Sequence, residues 1–167
     1  MIVRDVLGNI KESPVLFLKV DLLEIEWFEA NKRIQRKTSN EGQEIAIKFM
    51  REGQQLHDGD IVFQDGQKMV VVFIKPCDAI VLKPSSMLEM GTICYEIGNK
   101  HLPLFIQDEQ VMMPFEMPMF RWLEASGYQP KKEFVQLLNM LKSNVEAHNH
   151  GSSSLFNKIL HLASSKE

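Results

Sequence analysis

Apolar and polar residues alternate through much of the first 75 positions. "LLEIEWF" (22–28) and "RIQRKT" (33–38) are strand-like, and "EIAIKF" (44–49) has the period of two that half-buries a strand. "SNEG" (39–42), between the last two, carries turn chemistry. Asp58-Gly59 in "LHDGDIVF" precedes another apolar run. Asp65-Gly66 in "QDGQKMVVVFI" separates two β-rich runs and predicts a hairpin. Short strands at this spacing predict a small all-β domain over residues 1–75.

The period changes after "KPCDAIVLKP" (75–84). An apolar strand from Ala79 to Leu82 is followed by Pro84, and Ser86 with Glu89 has the form of a capping box. Met87, Met90, Ile93, Cys94 and Ile97 then recur at helical spacing, and Gly98-Asn99 supply residues that close a helix with positive φ. "LPLFIQ" (102–107) and "QVMMPF" (110–115) flank Asp108-Glu109 as a second hairpin. A further helix opens near Pro118, shows an apolar stripe of Met119, Trp122 and Leu123, and ends at Gly127. The order β-α-β-β-α is one strand short of a split βαβ unit. The missing strand should fall in "KEFVQLLNMLKSNV" (132–145), yet Phe134, Leu137, Leu138, Leu141 and Val145 repeat at helical spacing, so topology asks for a strand and periodicity for a helix. Residues 76–145 are read as the second domain. Residues 146–167 form a polar, loop-like tail, with "LFNKILHLA" (155–163) a short amphipathic helix or a docked extension.

Composition adds boundaries rather than a function. At 44% hydrophobic and 25% charged over 167 residues, the chain is long enough for one domain or two small ones with buried cores. The net charge of −3 gives no overall pull toward nucleic acid or an acidic membrane. Cys77 and Cys94 have neither metal-type spacing nor a disulfide framework, and ten scattered methionines suit core filling. "MIVRDVLGNI" lacks a charged-then-apolar leader and no run approaches a membrane span, so a cytoplasmic protein is expected.

The chemistry rests on five histidines. His101 stands two residues after a glycine-asparagine helix end, where with Lys100 it suits the negative pole of the helix. His148 and His150 bracket Asn149, and such a pair on an extended chain turns both rings to one side, within reach of one ion. His57 reads as a turn residue beside Asp58-Gly59, and His161 as a packing or surface residue. Two other functions compete. "NKRIQRK" (31–37) clusters four cations behind Trp27-Phe28, as a nucleic-acid-binding strand would, but without an RNP-like aromatic run. His57, Asp58 and Asp60 offer acid-base groups, but no nucleophile or phosphate-cradling loop accompanies them, so an enzyme is not expected.

"EIGNKHLPLFI" and "EMPMFRWLEASGY", together with "LEIEWFEANKRIQRKTSNEGQEIAIKF" and "LHDGDIVF", resemble in this order the UreE family, the urease accessory metallochaperones that deliver nickel. The resemblance covers roughly residues 1 to 130. It implies an α+β protein, with a small all-β N-terminal domain, a ferredoxin-like βαββαβ C-terminal domain that pairs with its twin, and a flexible histidine-containing tail. It also implies that His101 lies on the dimer surface, where two copies share one metal and tail histidines (His148, His150) complete the shell. Such nitrogen ligands suit Ni²⁺, and also Zn²⁺ or Cu²⁺. The metal would be cargo, and the implied partners are a second copy, the UreG-like urease accessory GTPase and the urease apoprotein complex, with no membrane or nucleic acid involved.

Overall fold

The computed structural model describes residues 1–12 and 18–141. Its N-terminal part is a sandwich of two small sheets. One has the order β1 (Ile2–Val3), β5 (Glu44–Lys48), β4 (Ile34–Thr38). The other has the order β2 (Gly8–Asn9), β6 (Asp60–Gln64), β7 (Lys68–Ile74), β3 (Lys19–Ile25). Alternation in β5 buries Ile45 and Ile47 against Leu23, Ile25, Val70 and Val72 of the facing sheet, and these residues form the sandwich core. The first expected strand is shifted. It runs Lys19–Ile25 in parallel register with β7, and Trp27–Glu29 turns away as one turn of 3-10 helix. The Glu29 carboxylate accepts the Glu26 N–H at 3.0 Å and thereby closes that turn.

Asp65-Gly66 connects β6 to β7 as the expected hairpin. The Asp65 carboxylate accepts the N–H groups of Gln67 and Lys68, both at 2.8 Å, and these two bonds hold it below the usual carboxylate range. At the Asp58-Gly59 turn the glycine is obligatory. Gly59 has φ +87°, and a Cβ there would lie 2.7 Å from Asn9 Oδ1.

The C-terminal sheet has the order β11 (Lys131–Val135), β8 (Cys77–Leu82), β10 (Gln110–Pro114), β9 (Phe105–Gln107), with α1 (Met87–Asn99) and α2 (Met117–Ala125) in the connections. This is the ferredoxin-like βαββαβ arrangement. One face packs Ile80, Leu82, Val111 and Met113 against Ile93 and Ile97 of α1 and Met119 and Leu123 of α2. The fourth strand settles the conflict over 132–145: residues 131–135 pair antiparallel with β8, so topology prevails over period.

The helical period there arises from packing on two sides. After β11, residues 136–141 cross the face of the sheet that the helices leave open. Leu137 packs with Ala79, Val81, Phe105 and Met112, while the adjacent Leu138 packs on the core of the N-terminal sandwich. Phe134 and Leu141, which a buried helix face would cover, are 69% and 55% exposed. The expected features of 142–167 lie outside the described residues.

The β9–β10 hairpin turns through Asp108 and Glu109, at φ 48° and 61°, the type I′ geometry that favours glycine at the second position. Replacing Glu109 by Gly should stabilise the fold by about 0.5–1 kcal/mol in urea melts, and Glu109→Val should destabilise it, because a β-branched residue fits that geometry poorly.

Candidate metal centre

The two helices of the C-terminal domain end in related ways but with different residues. α2 closes on Gly127, at φ 87°, whose N–H donates to Glu124 O at 3.0 Å while Tyr128 N–H donates to Leu123 O at 3.1 Å. This is a Schellman cap with glycine in the left-handed position. The corresponding position of α1 is His101, at φ 55°, with its N–H on Gly98 O at 3.0 Å. Gly98 and Asn99, the expected positive-φ pair, stay within the helix, and Lys100 is its cap at φ −89°. A histidine thus stands where the neighbouring helix uses glycine, in a conformation that costs a side-chain-bearing residue about 1–2 kcal/mol.

The surroundings leave this imidazole facing solvent. His101 is exposed, while the Lys100 ammonium lies 4.2 Å from the centre of the Trp122 ring and ties the helix end to α2. The outward face of α1 leads toward it through Leu88, Thr92 and Tyr95, spaced four and three apart. Leu88 and Tyr95 are 81% and 71% exposed. Cys94, on the same helix, is half-buried, and burial pushes its thiol up, away from the thiolate a metal requires.

His57 lies in the turn, as expected, with Nδ1 3.5 Å from Asp60 Oδ2 and Nε2 2.7 Å from Gln55 Nε2. Its partners are structural. Asp60, 5% exposed, accepts the His57 N–H at 2.7 Å and the Asn9 amide at 3.0 Å. Among the described residues, no group of three or more His, Cys, Asp or Glu side chains is placed to hold a metal ion. His148 and His150 lie outside the described residues.

The basic strand is partly consumed by internal contacts. Lys37 and Lys32 pair with Glu29 at 2.5 and 3.8 Å, and Trp27 packs edge-on against Phe105 at 5.5 Å between the two domains. Arg33 and Arg36 are exposed. Of the two aromatic residues Trp27 is therefore committed to the fold, while Phe28 is 50% exposed with the Lys32 ammonium 5.4 Å from its ring centre.

Sequence reasoning missed how the segment after β11 is fixed near this helix end. The Gln107 side chain accepts the Leu138 N–H at 2.7 Å and donates to Gln136 O at 3.2 Å. The Gln136 amide donates to Ile74 O at 2.6 Å and Asp58 Oδ1 at 3.3 Å. Scattered glutamines carry no periodic signal that would have disclosed these bonds.

Residues 3–75 match the family model for the N-terminal domain of the UreE urease accessory protein. Over 164 residues the chain is 56% identical to the urease accessory protein UreE of Flavobacterium johnsoniae, covering 98% of this chain and 99% of that one. It is 43% identical to the UreE protein of Acetivibrio thermocellus over 153 residues, 92% of this chain and 99% of the relative. The Helicobacter hepaticus protein of the same name is 34% identical over 148 residues, 87% and 85% of the two chains. A match running nearly end to end through both domains, together with the fold, shows that this chain belongs to the UreE family of urease accessory proteins.

Proposed function

We propose that this chain is a non-catalytic metallochaperone of urease maturation that carries Ni²⁺ on a site shared by two copies. The observation that carries this reading is the exposed His101 in the left-handed position at the end of α1, where glycine would be less strained. One exposed imidazole holds a metal weakly, but a two-fold axis doubles it without further sequence. The outward face of α1 suits such an axis. Leu88 and Tyr95 would be covered by the same face of a second copy, and the two His101 rings would meet beside it. His148 and His150 then complete a nitrogen shell that Ni²⁺ favours and that Zn²⁺ or Cu²⁺ can also occupy.

In this reading residues 1–75 and 76–145 are the two domains and 146–167 the metal-gathering tail. The partners are the urease accessory GTPase and the urease apoprotein complex, in the cytoplasm. Among the described residues no helix is long and apolar enough to cross a membrane.

Calorimetric titration with Ni²⁺, with sizing before and after, tests the shared site. Wild-type protein should bind its tightest ion at one per two chains, and His101→Ala should lose that class of site. His101→Gly should lose it too while gaining about 0.5–1 kcal/mol of stability, because glycine relieves the left-handed strain. Unchanged affinity and stoichiometry in both variants would exclude a bridging His101.

Ligand chemistry also fixes a pH dependence. An imidazole must be neutral to bind, and its unperturbed pKa is about 6.5, so protons compete with the ion at each histidine. With three such ligands, affinity should fall steeply below about pH 6.5, approaching roughly three decades per pH unit at the acid limit. A carboxylate shell would hardly change there, since Asp and Glu titrate near about 4. Titration at pH 7.5 and 5.5 in buffers of different ionisation enthalpy counts the protons released. A flat affinity without proton release rules out a histidine shell.

A further inference from the structure

We propose that the outer edge of β11 docks another protein by strand addition, taking an extended segment that carries an apolar residue and, three positions away, an acidic one. This goes beyond the metal reading and does not depend on it.

Register shows which groups of β11 are free. In the pairing of β10 with β8, Phe115 N–H donates to Asp78 O at 3.0 Å, and Pro114, which has no N–H, stands opposite Ala79. Antiparallel bonding alternates, so Asp78 and Ile80 direct their backbone groups to β10, and Cys77, Ala79 and Val81 direct theirs to β11. The bonded residues of β11 are therefore Val135, Glu133 and Lys131. The N–H and C=O of Lys132 and Phe134 point away from the sheet, and no group among the described residues bonds them.

Side chains follow the same register. Lys132 and Phe134 lie on the helix side, across from Ile80 and Asp78, while Lys131 and Glu133 lie on the other side with Val81 and Ala79. Lys132 turns inward, with its ammonium 2.7 Å from Asp78 Oδ2 and 4.5 Å from the centre of the Phe115 ring. Phe134 is left 69% exposed at the rim. At the other end of the strand Lys131 is exposed, and so is Lys83, two residues beyond the Val81 that pairs with it. Neither lysine has an acidic partner among the described residues.

Charges on an edge strand commonly guard against strand addition. Guarding alone gives no reason for an exposed phenylalanine, and what these charges exclude is a second copy. A two-fold axis that joins the outward groups sets Lys132 opposite Lys132 or Glu133 opposite Glu133, and like charges directly opposite destabilise a pair. Setting Phe134 opposite itself requires Gln136 opposite Lys132, but β11 ends at Val135 and Gln136 O is already bonded by Gln107. A different chain escapes these clashes. Its backbone pairs with Lys132 and Phe134, an apolar side chain covers the Phe134 ring, and a carboxylate on the opposite face meets Lys131.

The capped peptide Val-Thr-Thr-Glu-Thr-Thr-Val, which has this spacing in either direction, is the probe, with a Lys-for-Glu version as its control. Amide NMR shifts and hydrogen exchange of the full chain are the readouts. In the free protein the Lys132 and Phe134 amides should exchange fast at every concentration, while those of Lys131, Glu133 and Val135 are protected. The Glu peptide should shift and protect Lys132 and Phe134, and bind roughly threefold or more tighter than the Lys peptide. Lys131→Glu should invert that preference. Phe134→Pro removes an outward N–H that the fold does not use, so the chain should stay folded and lose the peptide. Phe134→Thr keeps the backbone donor and should weaken binding by removing the ring, which preserves the test if the proline variant fails to fold. Protection of Lys132 and Phe134 in the free protein would overturn the proposal, because the edge would already be covered, by a second copy if the protection rises with concentration. Absence of shifts at these amides, equal affinity for the two peptides, or binding unchanged in the Phe134 variants would overturn it as well.

Discussion

A four-stranded sheet with both helices on one side leaves its other side apolar and uncovered. In this protein that side carries Ala79, Val81, Phe105 and Met112, all at most 5% exposed in the folded chain. Something must remove them from water, since each buried side chain of this kind is worth on the order of 1–3 kcal/mol. The cover comes from two directions. Trp27, turned outward by the 3-10 turn after β3, meets Phe105 edge-on, and the strap of residues 136–141 lays Leu137 across the sheet. The arrangement of the domains follows from this one requirement. Leu138, next in sequence to Leu137, faces the opposite way into the N-terminal core, so the strap is apolar on both sides.

The same strap must satisfy its backbone groups, because a segment enclosed between two domains cannot leave them to water. Gln107 supplies partners for Gln136 O and Leu138 N–H, the backbone of Ile106 and Leu104 for Asn139 O and Leu141 N–H, and the Gln136 side chain ties the strap to Ile74 O and Asp58. Asp58 is also bonded by Ile74 N–H at 3.0 Å and by Lys11 at 3.2 Å, so a single carboxylate joins the N-terminal turn, the interdomain connection and the strap. Removing it would leave the part-buried Ile74 N–H without its acceptor and take one bond from the Gln136 amide, which is more damaging than losing the surface ion pair to Lys11.

The chain made some of this architecture legible and concealed the rest for definite physical reasons. Asp-Gly pairs, the β5 alternation and the Ser86 cap were readable because each is a local device. Ser86 Oγ accepts the Glu89 N–H at 3.1 Å as expected, although the Glu89 carboxylate reaches back to Ser85 rather than to Ser86. The segment 132–145 left strand and helix both open because Leu137 and Leu138 serve different cores, and apolar residues facing two ways imitate a helical period. Trp27 looked like strand because its environment is supplied by the other domain. At the candidate site His101 was visible as a histidine at a helix end, but the expectation placed the strain one turn too early. Gly98 keeps helical geometry, and the positive φ falls on the histidine itself.

That transfer of strain bears on how a carrier can work. A resident metal centre is built by converging several rigid side chains, and no such convergence exists among the described residues. On the proposed reading each ligand is supplied from outside the fold of one chain, either by symmetry or by the tail. Association of two copies then opposes binding, because it immobilises what was free. Affinity in such a site depends on how the ligands are presented as well as on the nitrogen–metal bonds. The left-handed helix end presents one imidazole, and the α1 face presents its twin. Each can loosen separately, so the ion can leave by steps that do not unfold the protein. A closed cage of four fixed ligands would have to break its own packing to let the metal go.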